Sequence, residues 1–369
     1  MENSFDKIKK NFGFGCMRLP MKNDEVDYDE FNRMIDAFIG AGFNYFDTAH
    51  GYLDGKSETA IRDCLAARYP RDAFILANKL THPYFETAED VRPFFESQLE
   101  LCGVEYFDFY LFHCLNATNY QKHKACKTFE TVKQLKAEGK VRHIAMSFHD
   151  TADVLDMILS ENDCIEAVQL QINYLDYDDP GVQSKKCYDV AVKHGKKVIV
   201  MEPVKGGSLV NLPDEAAKKV ASLTSGSQAS FAIRYAASFP EVFMVLSGMG
   251  NMDMLNDNVS YMADFVPLTN EEMDATAELR EIIRRVNLIQ CTKCEYCVAG
   301  CPAGIKIPYV FAPYNEYLAA KITRREATAK LPADSAPAAD CIKCGACEEI
   351  CPQSLPIREL LEKIARRLR

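Results

Sequence analysis

The chain lacks several features that would place it in other classes of protein. It has no tryptophan and no G-x-G-x-x-G motif after its first apolar run. The missing motif argues against a doubly wound dinucleotide-binding sheet, which stays open as the structural alternative. No window of about eighteen apolar residues occurs, so we expect no membrane-spanning helix. The first residues, MENSFDKIKKNFGFG, carry charge but no apolar core. We therefore expect no secretory signal and a cytoplasmic protein.

An excess of positive charge is missing as well. The 369 residues carry a formal net charge of −10, which argues against nucleic acid as the main partner. No histidine follows His194, so the last part of the chain cannot offer mixed cysteine and histidine ligands. At ~100–200 residues per domain, the length predicts two or three domains.

Cysteine is abundant, and eight of the fifteen cysteines form two runs with the spacing C-x2-C-x2-C-x3-C-P. The runs contain Cys291, Cys294, Cys297 and Cys301, followed by Cys341, Cys344, Cys347 and Cys351. Thiolates at this spacing hold [4Fe–4S] clusters, and in a pair of runs the fourth cysteine of each binds the other cluster. The predicted ligand sets are therefore 291, 294, 297 with 351, and 341, 344, 347 with 301. Structural zinc is the alternative.

Eight short apolar runs alternate with longer amphipathic segments before the cysteine runs. They span residues 12–17, 43–47, 74–79, 107–113, 141–147, 167–171, 197–201 and 242–247. This alternation predicts parallel strands joined by helices. Eight such units in about 250 residues are typical of a (β/α)8 TIM barrel. We predict an α/β protein with a barrel in residues 1–267, a linker helix in 268–289 and a small α+β two-cluster domain in 290–369.

Polar residues end several of these runs, where the catalytic residues of a barrel gather. Asp47, Lys79 and His113 close the second, third and fourth runs, and Tyr52 follows in a loop. An ammonium beside a phenol lowers the tyrosine pKa from ~10, so Tyr52 could donate a proton to a developing alkoxide. Asp47 would orient Lys79, and His113 would hydrogen-bond a substrate carbonyl.

The segments FDTAHGY, NKL and LFHC resemble the motifs around the catalytic tetrad of the aldo-keto reductases. Further along, VQLQINYLD, VIVMEPVKGG and VLSGM resemble that family's sixth, seventh and eighth strand motifs. The last part of the chain resembles a bacterial two-cluster ferredoxin, as in the subgroup with a C-terminal ferredoxin-type extension. The resemblance implies hydride transfer between NAD(P)H and a carbonyl, or the reverse oxidation of an alcohol, with Asp47, Tyr52, Lys79 and His113 as the tetrad.

The resemblance also implies a set of cofactor contacts. These are Ser147, Gln169, Met201, Glu202, Gly207, Ser247, Gly248 and Asn258. Met201 stands where an aromatic residue often stacks on the nicotinamide. No lysine or arginine lies between Ser247 and Asn258, where the family usually places a cation for a 2′-phosphate. NADP and NAD therefore both stay open.

The two halves move different numbers of electrons, because a nicotinamide transfers hydride and each cluster transfers one electron. We expect an oxidoreductase for a small carbonyl or alcohol whose clusters relay electrons to or from a redox partner protein. Two alternatives stay open: an electron carrier whose barrel has lost hydride chemistry, and a reductase with structural clusters.

Tyr84, Phe85 or Tyr174 could form an aromatic wall of the substrate pocket. The end of the chain, LPIRELLEKIARRLR, predicts an amphipathic helix that covers the clusters, docks on the barrel or lies on a membrane surface.

Overall fold

The computed structural model describes residues 4–368 and divides into two compact units. The first unit runs up to Pro203 and resumes at Ser230–Thr269. The second consists of Val204–Ala229 and the chain from Asn270 onward. The predicted domain ranges include residues 1–3 and 369, which lie outside the described residues, and those ranges stay predictions.

A closed barrel of eight parallel strands forms the first unit. Its strands are Phe12–Gly15, Tyr45–Asp47, Ile75–Leu80, Phe107–Leu115, Val141–Phe148, Ala167–Gln171, Lys197–Met201 and Val242–Ser247. Each pairs with the next along the chain, and the first and eighth strands close the cylinder through pairs such as Phe12 with Val245. Every apolar run in the sequence forms a strand, so the predicted (β/α)8 barrel is confirmed.

Helices follow the strands around this barrel. The α-helices of the first unit are Ser4–Lys7, Tyr28–Gly40, Lys56–Ile61, Ala88–Cys102, Ala117–Ala125, Thr128–Ala137, Ala152–Glu161, Ser184–Lys193 and Met252–Met262, with Gln228–Ala237 beginning at the boundary of the units. Short 3-10 segments occupy Tyr52–Gly55 and Arg71–Ala73, a π-helical turn occupies Arg62–Ala66, and a two-stranded hairpin pairs Met21–Lys22 with Glu25–Val26. No described helix combines the length and the hydropathy needed to cross a membrane.

The barrel interior is filled by alternate residues of its strands. Its buried side chains are Tyr45, Ile75, Ala77, Phe109, Leu111, Ala145, Ala167, Ile199, Met244 and Leu246. Residues two apart on a strand share a face. A polar residue two positions after one of these apolar residues therefore points into the C-terminal end of the barrel. The strand pattern thus decides which predicted site residues can meet.

The second unit is helical in its regular elements. Its helices are Asp214–Leu223, Asn270–Arg285, Tyr296–Ala299, Ile307–Leu318, Arg324–Ala329, Ala346–Glu349 and Ile357–Arg367, with 3-10 segments at Lys205–Val210 and Ala338–Asp340. The cluster domain was expected to be α+β, but within residues 270–368 no strand is assigned. The reason is visible at Ile289, whose backbone N–H and C=O both bond the Asn315 side chain, at 2.8 Å each, where a strand would need another backbone.

The terminal helix Ile357–Arg367 packs within the second unit. Its buried residues Ile357, Leu361 and Ile364 belong to the same core as Ile305 and Phe311. Several cysteines of the two runs pack against this core. Of the positions foreseen for the terminal amphipathic helix, the structure therefore supports the one over the cysteine runs.

Candidate functional site

A buried ion pair joins Asp47 and Lys79 at the C-terminal end of the barrel. Asp47 ends the second strand and pairs in register with Ala77, and Lys79 lies two residues further on the same face of the third strand. Lys79 Nζ donates to Asp47 Oδ1 at 2.6 Å and to the Thr48 carbonyl oxygen at 2.8 Å. Burial raises the pKa of Asp47, and the Lys79 ammonium opposes that rise. The ammonium is thus held by two acceptors inside the barrel.

Tyr52 lies beside this ammonium. It begins the 3-10 segment after the second strand, and its ring centroid lies 4.8 Å from Lys79 Nζ. The chain turns away sharply after Tyr52, because Leu53 and Asp54 both adopt left-handed conformations, with φ of +53° and +55°. The Tyr52 residue is 8% exposed. The phenol and the amine that the sequence predicts as neighbours are thus brought together.

His113 completes the group from the fourth strand. Lys79 pairs in register with Leu111, and His113 lies two residues beyond it on the same face. The rings of His113 and Tyr52 lie 6.1 Å apart at 78°. His113 Nδ1 lies 2.7 Å from Thr81 Oγ1, a partner that sequence reasoning missed although it stands two residues after Lys79. Burial lowers the pKa of His113 well below its usual value, and the Lys79 ammonium lowers it further.

A buried polar network supports the third strand from its outer side. Glu58 is fully buried and accepts from Asn78 Nδ2 at 2.8 Å and from Gln98 Nε2 at 3.1 Å. Gln98 Nε2 also lies 3.1 Å from the Lys79 carbonyl oxygen. The second carboxylate oxygen of Glu58 lies 2.6 Å from His50 Nδ1. This network fixes the backbone of Lys79. Its members come from separate elements, so no local sequence motif indicates it.

Three predicted cofactor residues line the same interior face. Ser147 pairs with Gln169 across the fifth and sixth strands, and Met201 ends the seventh. Ser147 Oγ accepts from the Cys114 backbone N–H at 2.8 Å, which leaves its own hydroxyl hydrogen to donate. Gln169 Oε1 is buried, and no donor among residues 4–368 reaches it. An orphaned buried amide oxygen is a suitable acceptor for a ligand N–H. These residues fit a nicotinamide carboxamide.

The predicted residues after the eighth strand contact each other outside the barrel interior. Leu246 points inward, so Ser247 faces the opposite side, where Asn258 Nδ2 donates to its Oγ at 2.8 Å. Gly248 lies against Arg18, because a β-carbon there would be 3.4 Å from Arg18 Cβ. Arg18 follows the first strand. It therefore lies outside residues 247–258, the part of the sequence in which a cation for a 2′-phosphate was expected.

The remaining predicted cofactor residues and aromatic wall residues are dispersed. Glu202 has φ +55°, and its carbonyl oxygen accepts from Asn173 Nδ2 at 3.1 Å. Gly207 belongs to the segment Lys205–Val210 of the second unit. Phe85 and Tyr174 are buried in the core, whereas Tyr84 is 45% exposed and its ring lies 4.5 Å from that of His50. Of the three proposed wall residues, Tyr84 alone has an exposed surface.

Each of two cavities in the second unit is lined by four cysteines. One cavity is lined by Cys291, Cys294, Cys297 and Cys351. The other is lined by Cys301, Cys341, Cys344 and Cys347. Each cavity takes three cysteines from one run and the fourth from the other, and all eight thiols are free of disulfides. Ile357 of the terminal helix borders the first cavity and Leu361 the second.

The chemistry of these donors fits iron–sulfur clusters. Four thiols surrounding one cavity match the four-thiolate ligation of a [4Fe–4S] cube. In the described part of the chain, no three or more His, Cys, Asp or Glu side chains are grouped so as to hold a single metal ion. The cysteines instead stand around a space, in the two sets that their spacing predicts.

Both parts of the chain match known protein families. The model described as the aldo/keto reductase family matches residues 11–281, and the model described as a 4Fe-4S dicluster domain matches residues 290–355. The uncharacterized oxidoreductase YqkF of Bacillus subtilis is 22% identical over 294 residues, which is 71% of this chain and 90% of that protein. An aldo-keto reductase of Mycolicibacterium smegmatis is 26% identical over 203 residues, 54% of this chain and 66% of that protein.

Solved structures resemble the barrel. The holo form of aldo-keto reductase AKR11C1 from Bacillus halodurans gives a TM-score of 0.61 at 23% identity, covering 73% of this chain and 91% of that one. An aldo-keto reductase from Klebsiella pneumoniae, solved in complex with NADPH, gives a TM-score of 0.60 at 19% identity, covering 73% and 90%. At these identities the likeness concerns the fold.

His113 should remain neutral across the physiological pH range. With 13C-labelled histidine, the His113 signal, assigned by its loss in His113→Gln, should show no titration from about pH 8 to about pH 6. Lys79→Met should raise this pKa, because it removes the nearby positive charge. Since the folded chain binds this proton less readily than the unfolded one, the His113 contribution to stability is lost as the pH falls below about 6.5. A midpoint near 6.5 in the unmodified chain would contradict the buried, neutral imidazole.

Proposed function

The chain belongs to the aldo/keto reductase family, and on that premise we propose that it reduces a carbonyl with hydride from a nicotinamide cofactor while its dicluster domain exchanges single electrons with a redox partner protein. The family and the dicluster domain make it an oxidoreductase with an iron–sulfur module. The observation that carries the proposal is Tyr52 beside the Lys79 ammonium, with Asp47 locking that ammonium in place.

Tyr52 is the proposed general acid. A bound nicotinamide would supply hydride to the carbonyl carbon, and Tyr52 would give its phenolic proton to the carbonyl oxygen. The phenolate left behind is stabilised by the Lys79 ammonium, because an adjacent positive charge favours the charged form of an acid. Asp47 balances the ammonium and keeps it oriented in a site with little water. General acid catalysis of this kind contributes roughly 100- to 10,000-fold in rate.

His113 is proposed to orient the substrate. Its neutral imidazole can donate one hydrogen bond to the carbonyl oxygen while Nδ1 is held by Thr81. A donor fixed before reaction stabilises the negative charge that develops on that oxygen. The strong lowering of the His113 pKa supports this role, since an imidazolium would compete with Tyr52 as the proton donor.

The cofactor is proposed to be NADPH. Ser147 and Gln169 would hold the carboxamide, through the available hydroxyl hydrogen and the orphaned amide oxygen. Glu202, Gly207, Ser247, Gly248 and Asn258 stay predictions as further contacts. Arg18, against Gly248, adds a cation to the region that the eighth-strand loop leaves without one. Arginine binds phosphate through paired N–H donors, which favours the cofactor with the additional phosphate.

The eight cysteines of the two runs are proposed to hold two [4Fe–4S] clusters in the crossed sets that line the two cavities. Such clusters supply one-electron transfer. The buried tetrad argues for an enzyme over a carrier with a degenerate barrel. Clusters that only stabilise the fold would leave the rate of carbonyl reduction independent of their oxidation state.

Anaerobic purification should yield about eight iron and eight sulfide per chain. If the sets are crossed, Cys351→Ser should leave the same residual electron paramagnetic resonance spectrum as Cys294→Ser, and Cys301→Ser should match Cys344→Ser. Cys164→Ser, outside both runs, serves as the control and should retain both signals. Matching spectra within each run, or a chain that binds zinc in place of iron, would contradict the assignment.

Replacing Tyr52 by Phe should remove the proton donor and lower kcat for carbonyl reduction by about 100-fold or more. NADPH affinity and iron content should stay at the values of the unmodified chain, because the change leaves the predicted cofactor residues and the cysteines intact. A panel of aldehydes and ketones, followed by NADPH absorbance, gives the rates. Tyr84→Phe, at an exposed phenol, is the matched control. Full activity in the Tyr52 variant would remove the proposed acid.

Arg18→Ala should weaken NADPH binding by roughly tenfold or more and leave NADH binding nearly unchanged, because a hydrogen bond to a charged group is worth ~1.5–3 kcal/mol. Fluorescence titration of both cofactors gives the two Kd values. Arg33→Ala, in an exposed pair with Glu30, is the control. Equal losses for both cofactors would place Arg18 at a shared phosphate, and no loss for either would remove it from the site.

A further inference from the structure

The two cysteine-lined cavities differ in their exposure to solvent. The first cavity is lined by the cysteine set that contains Cys294, and the second by the set that contains Cys344. Every described residue that lines the first cavity is buried or half-buried. The wall of the second cavity also contains exposed residues, which are Gly300, Pro302, Ile342, Cys344 and Arg358. One side of the second cavity therefore faces solvent.

The segment Val204–Ala229 packs against the wall of the first cavity, and it belongs to the same second unit. A β-carbon at Gly206 would lie 2.3 Å from the Thr292 carbonyl oxygen, so the two backbones are in close contact there. Lys205 Nζ donates to Gln353 Oε1 at 3.2 Å. Thr292 and Gln353 both line the first cavity, and Lys205 and Thr292 are buried. This segment therefore shields part of the first cavity from solvent.

Ile342 lies in the exposed wall of the second cavity. It directly follows Cys341, and it is 66% exposed. A single exposed isoleucine is ordinary on a protein surface. Ile342 differs because it shares the cavity wall with Cys344, a predicted cluster ligand that is itself exposed. A molecule that covers Ile342 would therefore come close to a ligand of the proposed cluster.

Paired charges lie beside this apolar side chain. Lys343, the next residue in the sequence, places Nζ 3.1 Å from Glu362 Oε2. Arg358, in the wall of the same cavity, places Nη2 2.6 Å from Glu348 Oε2. An apolar centre with a polar rim is typical of protein–protein interfaces, and small interfaces serve transient redox encounters. Because each of these basic side chains already has an acidic partner, apolar contact would contribute most to holding a protein here.

We propose that the exposed wall of the second cavity, centred on Ile342, is the docking surface for a one-electron carrier protein. The inference rests on the proposed loading of both clusters. The carrier gives one electron to the cluster of the second cavity or takes one from it, so one partner is reduced as the other is oxidised, and no bond forms or breaks. The rate of electron transfer falls steeply with distance, and the exposed wall offers the shorter route. The first cavity then holds the inner cluster.

The exposure of the two clusters is tested by electron paramagnetic resonance. The full chain is purified anaerobically and reduced with dithionite, and a dysprosium–EDTA complex is added, which speeds the relaxation of nearby unpaired electrons. The signal that is absent from Cys344→Ser should relax faster than the signal that is absent from Cys294→Ser. Equal effects on both signals, or a stronger effect on the inner cluster, would overturn the proposal.

Docking is tested by the rate of electron exchange with carrier proteins. The reduced full chain is mixed in a stopped-flow instrument with oxidised flavodoxin or oxidised rubredoxin, whose absorbance reports their reduction. Ile342→Asp should lower the second-order rate constant by about tenfold or more, because burial of an isoleucine side chain contributes this much to association. Ile342→Asn should show the same loss without the added charge. Hexaammineruthenium(III), a small oxidant that does not need the surface, should react at an unchanged rate.

Val266→Asp is the matched control. Val266 is 62% exposed and belongs to the barrel unit. The substitution adds the same carboxylate at a similarly exposed apolar residue, so it should leave all three rates unchanged. Iron and sulfide contents should equal those of the unmodified chain in every variant at Ile342. If Ile342→Asp binds less iron, Ile342→Asn decides the question.

The possible failures are distinguishable. Loaded Ile342 variants that reduce flavodoxin and rubredoxin at the rate of the unmodified chain would overturn the docking surface and leave the proposed function standing. A loaded chain that reduces the ruthenium complex but neither protein would overturn the carrier as the occupant of this surface. A dimer that Ile342→Asp separates would assign the surface to a second copy of the chain instead. An unmodified chain that binds no iron would overturn the proposed function itself.

Discussion

The buried Asp47–Lys79 ion pair is the constraint on which the barrel site depends. A charged side chain is costly in the interior unless it is paired and hydrogen-bonded, and removal of one partner leaves an uncompensated charge. The register of the second and third strands places the two groups together, and Thr48 supplies a further acceptor. Burial lowers the pKa of His113, and this ammonium lowers it further. The acid role proposed for Tyr52 depends on the same ammonium.

The second unit depends on a different constraint. Cysteines that are far apart in the sequence must come together around each cavity. Each cavity is lined by cysteines from both runs, and residues of the terminal helix border both cavities. The helix core, with Ile305, Phe311 and Leu361, holds the runs together without a β-ladder. Asn315 satisfies the extended backbone at Ile289 in place of a neighbouring strand. In this unit, side chains therefore supply the packing and the backbone hydrogen bonds that strand pairing supplies in the barrel.

Much of this architecture could be read from local pattern. All eight strands followed from short apolar runs, and the inward positions of Asp47, Lys79 and His113 follow from the two-residue period of a strand. The two sets of four cysteines around the cavities follow from spacing alone. Arg18, Glu58 and the segment Val204–Ala229 could not be found this way, because each acts on residues distant in sequence and carries no periodic signal. The strands expected in the small α+β two-cluster domain are not found in its described residues, where the Asn315 side chain bonds the backbone of Ile289 in place of a neighbouring strand.

The exchange of the fourth cysteine between the runs also constrains the order of biosynthesis. A nascent chain that has reached residue 340 already presents all four cysteines of the first run, yet neither cavity has its four thiols at that point. One set is completed by Cys347 and the other only by Cys351. The barrel, whose strands end at Ser247, can close much earlier in translation. If the two proposed clusters load in these sets, loading would finish only after Cys351 is made, and a product truncated between the runs would have a complete set of barrel strands but neither set of four cysteines.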